Sequence, residues 1–229
     1  MALRPAPRAQ LGGSRHPGLA AQRRAVARNP RRTVIEQLQA LDRWLLLAAN
    51  NNHSDTLDAW MIFFSERFVW FPAYLVILLA LSYLFGRRAT LLLPLLGLSV
   101  ALADGISSRF FKPYFARLRP CHDAQLSATL NLVNGCGGRF GFMSSHAANA
   151  FALVVFLCLV LPRRYWLVKV LVVIWAILVS YSRMYLGAHY PSDVLAGATL
   201  GSLLAWGCVR LYQLGVARWW PNDNAASPA

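Results

Sequence analysis

Charge is scarce in this sequence, and acid is scarcer still. Charged residues make up 14% of 229, with 9 Asp and Glu against 23 Lys and Arg, whereas an average soluble domain is about a quarter charged. So little polar surface excludes an ordinary water-soluble domain, and the 57% of hydrophobic residues points to lipid as the solvent. Of the four cysteines, Cys158 and Cys208 lie in apolar runs while Cys121 and Cys136 share one polar loop. None shows a CxxC or zinc-finger spacing, so only the loop pair is placed to bond. Acidic clusters that would hold a divalent metal are also missing.

The net charge of +14 raises nucleic acid as a partner, but the distribution of arginine argues against it. Nine arginines fall in the first 43 residues (Arg4, Arg8, Arg15, Arg23, Arg24, Arg28, Arg31, Arg32 and Arg43). The others stand at the ends of apolar segments and in one loop, which is the pattern of a membrane protein with a basic tail. Residues 1–32, rich in Arg, Pro, Ala and Gly, have no hydrophobic period and are expected to be a disordered tail. They do not read as a signal peptide, because no apolar stretch closely follows the arginines.

From residue 33 to 50 the apolar Val34, Ile35, Leu38, Leu41, Leu45 and Leu46 recur at helical spacing among Glu36, Gln37, Gln39 and Arg43. An amphipathic helix at the membrane surface is expected there, followed by a shorter one over 55–66. Five stretches then have the length a bilayer requires: about 68–85, 89–111, 145–161, 165–185 and 191–214. The predicted organisation is a basic tail (1–32), interfacial helices (33–66), a membrane-embedded core (67–215) and a short C-terminal tail (216–229). The fold class is all-α, an integral membrane bundle of five transmembrane helices, or six. Arg87-Arg88, Arg163-Arg164, Arg210 and Arg218 mark the cytoplasmic side by the positive-inside rule. The loop 112–144 and the connection 186–190 then face outward. Five spans also start the basic tail outside, against the same rule. A sixth crossing within 33–66 would repair this, but Asp42, Arg43, Asn50, His53 and Asp55 make it costly.

The outward loops and helix ends carry Lys112, Arg119-Pro120, Met143-Ser144-Ser145-His146, Ser182-Arg183, His189 and Asp193. Singly, each has a plain structural reading: interfacial anchors for Lys112 and Arg119, a helix cap for Ser144, a surface histidine for His189. Together they come from the ends of four helices on one side of the membrane, placing three cations, two histidines and a carboxylate about one small volume. Fixed cations are what a transferring phosphoryl group needs. At a spacing of four across a helix start, Asp193 can reach one ring nitrogen of His189 and leave the other free to attack. Backbone donors at the helix start after Ser144 can also hold phosphate.

These residues resemble the type 2 phosphatidic acid phosphatase family, which shares its site with vanadium haloperoxidases. Its first motif, Lys, six residues, Arg-Pro, matches Lys112 and Arg119-Pro120. Its second, Pro-Ser-Gly-His, is here Met143-Ser144-Ser145-His146, with Met for Pro and Ser for Gly. Its third, Ser-Arg, five residues, His, three residues, Asp, is matched by Ser182-Arg183, His189 and Asp193. The resemblance implies that His189 forms a phosphohistidine, Asp193 orients it and His146 protonates the leaving group. It further implies that Lys112, Arg119, Ser144 and Arg183 bind the phosphate, with no cofactor and no metal. Because that chemistry needs no metal and the loop faces an oxidising side, a Cys121–Cys136 disulfide is expected over a zinc site built from Cys121, His122, Asp123 and Cys136. Asp104, inside the second span, is expected to be structurally paired.

The activity so implied is hydrolysis of a lipid phosphate or diphosphate at the outer face of a bacterial inner membrane. Polyprenyl diphosphate, phosphatidic or phosphatidylglycerol phosphate, and lipid A phosphates are all open, with the diphosphate (an undecaprenyl diphosphatase activity) as the expected natural substrate. A lipid phosphotransferase and a non-catalytic membrane scaffold are the competing readings. Oligomeric state is left open.

Overall fold

The computed structural model describes residues 33–221; the expected basic tail 1–32 and the last residues of the chain lie outside them. The first helix, α1 (Val34–Asn50), opens with a reciprocal capping box. The Thr33 amide donates to Glu36 Oε2 (2.9 Å) and the Glu36 amide to Thr33 Oγ1 (3.3 Å), satisfying two donors that the helix itself leaves unpaired. Two compact units divide after Trp44, within α1. The described part of the first is this amphipathic segment, with Val34, Ile35 and Leu38 exposed. All that follows belongs to the second.

Helix α2 (Asp55–Ser65) starts where Ser54 Oγ accepts the Leu57 amide. Then α3 (Phe71–Phe85) and α4 (Ala89–Gly105) form a hairpin, reversed at Gly86. That residue takes φ 49°, ψ −127°, a conformation open to glycine and strained for side chains with a Cβ. Beyond Gly105 the helix widens into a π-helical stretch, Ile106–Phe111, and ends with the turn Lys112–Phe115. A long loop leads to α5 (Ser145–Val160), α6 (Trp166–Tyr185) and α7 (Pro191–Trp219). No strand forms among the described residues; Leu118 and Phe140 make one isolated antiparallel bridge across the loop.

Among the described residues, three continuous helical runs are long and apolar enough to cross a membrane: Phe68–Phe115, whose two arms are α3 and α4, Arg163–Tyr185 and Pro191–Trp219. Helix α5, at 16 residues, would rise about 24 Å, a little less than the ~30 Å hydrocarbon thickness. Large apolar side chains such as Val76, Leu79, Leu195, Leu203 and Leu214 are exposed. That outward apolarity costs little in lipid and would be unfavourable in water. The protein is therefore an all-α integral membrane bundle, as its sequence predicts.

Lipid tails are as apolar as leucine, so burial alone does not pull such helices together, and close backbone packing of small residues takes over. Helices α5 and α7 show this directly. A Cβ on Gly197 would stand 2.3 Å from the Ser144 carbonyl oxygen, and one on Gly201 2.0 Å from that of Ala148. Ala103 of α4 joins Ala148 and Ala152 in the same small-residue seam. At the opposite end of the helices, Leu81, Leu92, Phe156, Leu161, Val209 and Val216 form the largest apolar cluster. That end carries the Arg87-Arg88 and Arg163-Arg164 connections, so the basic turns and the motif residues occupy opposite ends of the bundle.

Candidate active site

The start of α7 fixes the first part of the site. Pro191 occupies the first helical position, where its missing N–H costs nothing and its φ is already helical. Asp193 folds back so that Oδ2 accepts the Tyr190 amide at 3.0 Å. Its other oxygen, Oδ1, accepts from Arg117 Nη1 at 2.7 Å. The same Arg117 nitrogen donates to Ser192 Oγ at 2.7 Å, and its guanidinium lies 4.2 Å above the Tyr190 ring. Asp193 is fully buried, so these charge-assisted bonds stand in for water.

The expected Asp193 to His189 hydrogen bond is longer than the spacing suggested. Oδ2 lies 3.6 Å from His189 Nδ1, outside hydrogen-bonding range. The reason is competition: a guanidinium and a backbone amide hold the two carboxylate oxygens, and a neutral imidazole is the weaker donor. Arg117 is the residue of this cluster that the motif reading passes over. Its only signal in the sequence is a third cation between Lys112 and Arg119.

His189 is itself almost wholly buried. Burial first, then the charges of Arg119, Arg183 and Lys112, hold its imidazole well below the usual histidine range, while the backbone of Gly141 acts in the other direction. The ring is neutral, the form in which an imidazole can act as a nucleophile. Arg119 is buried too, and its Nε donates to the Phe140 carbonyl at 3.3 Å. Lys112 Nζ donates to Ser145 Oγ at 2.7 Å, and that hydroxyl is also 2.9 Å from Ser108 Oγ. Arg183 reaches across to α2, where Nη1 donates to Ser65 Oγ. His146 lies within electrostatic reach of Arg183, His189 and Lys112. The structure thus gathers Lys112, Arg119, His146, Arg183, His189 and Asp193 into one volume.

Ser144 is placed differently from a simple phosphate ligand. Its hydroxyl accepts the Ala147 amide at 3.4 Å and its own amide donates to the Asp193 carbonyl at 3.0 Å. The side chain caps α5 and the backbone ties α5 to α7, leaving the Ser145 and His146 amides, ahead of the first intrahelical bond, as the donors at this helix start. The substitutions in the second motif are absorbed locally. Met143 is buried after a cis Phe142–Met143 peptide, and Ser145 becomes the partner of Lys112. Asp104 accepts from Asn149 Nδ2 at 3.0 Å, the structural pairing expected of it.

The loop over the site is braced at two places. Cys121 and Cys136 form a disulfide, which takes up the two sulfurs that a zinc site would use. Asn50, at the end of α1, is fully buried and donates to the carbonyls of Asn131 (3.1 Å) and Tyr185 (2.7 Å), while its Oδ1 accepts the Asn131 amide at 2.9 Å. Under the loop, a Cβ on Gly141 would come within 3.1 Å of Arg119 Cγ and 3.2 Å of Asp193 Oδ2. A glycine is what lets the backbone pass between those two side chains.

Two buried polar atoms of this cluster, Arg183 Nε and His189 Nδ1, have no hydrogen-bond partner among the described residues. Orphaned buried groups are costly and call for an explanation. His189 Nδ1 lies 3.6 Å from Asp193 Oδ2, while Arg183 borders a cavity of two lobes. One, about 220 Å³, is lined by Arg67, Asn134, Gly137, His146 and Arg183. The other, about 880 Å³, is lined by Trp70, Tyr74, Ile77, Leu96 and Val100 on its apolar side and by Lys112, Arg119 and His146 at its polar end. The arrangement suits a molecule with an anionic head and an apolar body.

Over 176 residues the chain is 40% identical to a lipid A 4'-phosphatase of Bacteroides thetaiotaomicron, covering 76% of this chain and 77% of that protein. It is 31% identical over 170 residues to an undecaprenyl-diphosphatase of Sulfolobus acidocaldarius, covering 72% and 76%. Its fold resembles the crystal structure of a transmembrane PAP2-type phosphatidylglycerolphosphate phosphatase from Bacillus subtilis, with a TM-score of 0.60 and 22% identity over 86% of this chain and 92% of that one. The family model of the PAP2 superfamily matches residues 91–216, a range that runs from the start of α4 nearly to the end of α7 and takes in every motif residue. The chain belongs to the PAP2 superfamily.

Proposed function

We propose that this protein is a membrane lipid-phosphate phosphatase that works through a phosphohistidine on His189. The observation that carries this reading is the set of Lys112, Arg119 and His146 at the polar end of an apolar cavity of about 880 Å³, with Arg183 lining the adjoining polar lobe and His189 buried within electrostatic reach of Lys112, Arg119 and Arg183. A phosphoryl group enters among Lys112, Arg119 and Arg183, whose charges offset those of its oxygens as the transition state forms. The neutral His189 ring attacks phosphorus, and the bond to the lipid oxygen breaks. His146 gives that oxygen a proton. Water then attacks the phosphohistidine, His146 takes the water proton, and inorganic phosphate leaves with His189 restored. Asp193, held by Arg117 with Oδ2 3.6 Å from His189 Nδ1, stabilises the positive charge that develops on the ring.

The lipid A 4'-phosphatase relative, at 40% identity, favours a phosphate monoester on a glycolipid as the substrate. The undecaprenyl-diphosphatase relative favours a second reading, a polyprenyl diphosphate, the substrate expected from an outward-facing site. The arginines at the opposite end support a site at the outer face of a bacterial inner membrane. The test is phosphate release in detergent from a phosphorylated glycolipid, a polyprenyl diphosphate, phosphatidic acid and phosphatidylglycerol phosphate. Release from at least one, abolished in His189→Ala, is expected; a His189→Ala variant that retains activity would overturn the mechanism.

A further inference from the structure

The cations assigned to the reacting phosphate are all tethered: Lys112 to Ser145, Arg119 to Phe140 and Arg183 to Ser65. Arg67 differs. It follows α2 and opens the turn Phe68–Trp70, is exposed, and its side chain has no hydrogen-bond or ion-pair partner among the described residues. Even so, it is close enough to act electrostatically on Lys112, His146 and Arg183. With Ser65, Glu66 and His146 it lines both lobes of the cavity, so it stands where the polar lobe meets the apolar one. No motif residue lies at that junction except His146.

We propose that Arg67 is a specificity-determining residue that binds a second phosphate of the substrate, while the first reacts at His189. The idea rests on the phosphatase reading above. Charge counting supports it. Arg117 already pairs with Asp193, and three tethered cations outnumber the two charges of a phosphate monoester. Arg67 adds a fourth positive charge that a single phosphate does not need. The carboxylate beside it, Glu66, acts on Arg183 and so offsets part of the field deep in the site, leaving the Arg67 fork for an anion at the mouth. Arginine suits this place because its planar donors take two phosphate oxygens at once.

The second phosphate has two possible sources: the other half of a diphosphate, or a separate monoester elsewhere on a glycolipid headgroup. Matched pairs distinguish them. Purified full-length wild type, Arg67→Ala and Arg67→Lys are assayed on polyprenyl diphosphate against polyprenyl monophosphate, and on a bisphosphorylated glycolipid against its singly phosphorylated form. In Arg67→Ala, KM is expected to rise about tenfold on the two-phosphate member of one pair, as for loss of a partly exposed charge-assisted bond. The one-phosphate member should change less than twofold, and kcat should hold on both. Arg67→Lys should recover part of the loss. The pair that responds identifies the source. Equal changes within both pairs would reduce Arg67 to a general contributor of charge, and no change in either would remove it from the substrate site; both results overturn the proposal. Wild type inactive on all four lipids would instead sink the phosphatase reading, a separate outcome.

Discussion

We expect the Arg117–Asp193 ion pair to order the end of the bundle that carries the motif residues, and removing Arg117 tests that. The carboxylate is fully buried and its oxygens are taken by Arg117 at 2.7 Å and the Tyr190 amide at 3.0 Å. Breaking a buried pair by deleting one partner costs about 3–5 kcal/mol, because the remaining charge is left without compensation. Two features lower that figure here. The Arg117 side chain is 29% exposed, so water can partly replace it, and the nearby Arg119 also attracts Asp193. A loss of roughly 2–3 kcal/mol is left for Arg117→Ala. For a chain of this size each kcal/mol moves Tm by about 2–4 °C, giving a fall on the order of 5–10 °C. The assay is thermal unfolding in detergent of wild type, Arg117→Ala, Asp193→Asn and the double variant. Because Asp193→Asn removes the charge that Arg117 balances, the second substitution should add little to the first. Losses that add within about 0.5 kcal/mol, as for independent sites, would refute the pairing. The same variant should also lower kcat, since a carboxylate freed from Arg117 no longer holds its place beside His189.

Other consequences are open to measurement. If His146 protonates the leaving oxygen, His146→Ala should lose a hundredfold to ten-thousandfold, as an order of magnitude, on a lipid monophosphate with an alkoxide leaving group and far less on a diphosphate; equal losses on both would show that it does more than protonate. Since His189 is held neutral below the ordinary histidine range, the unfolded chain takes up a proton below pH ~6.5 that the folded chain refuses. Its contribution to stability is present above that pH and is lost as pH falls, so wild-type Tm should drop more steeply than that of His189→Gln between pH 7 and 5, and parallel slopes would contradict this. Replacing both Cys121 and Cys136 with Ser should destabilise by about 3 kcal/mol, and free alkylation of both thiols in native protein would deny the bond. Gly201→Val should prevent α5 and α7 from closing and lower Tm or yield, whereas Gly207→Val, where a Cβ meets nothing within 4 Å, should be tolerated.

The sequence by itself determined the solvent, the helical class and the roster of motif residues. Scarce charge and apolar runs of about twenty residues leave the backbone no way to satisfy its hydrogen bonds in lipid except helices. Paired arginines at alternate turns then put Lys112, Arg119, His146, Arg183, His189 and Asp193 at one end. These are properties of composition and spacing, and they survive without coordinates. What tertiary structure decided is who holds whom. Asp193 sits four residues after His189, yet its oxygens belong to Arg117 and Tyr190, because a loop about 75 residues earlier delivers a stronger donor than the neighbouring imidazole. Ser145, where a glycine was expected, is the partner of Lys112 only because the π-helical end of α4 brings Lys112 to the start of α5. Arg67 lies outside every motif and reaches the cavity because α2 packs against α6. Spacing along one helix can be counted in a sequence; contacts between helix ends depend on how the bundle closes, and that is set by packing seams such as Gly197 and Gly201 against α5.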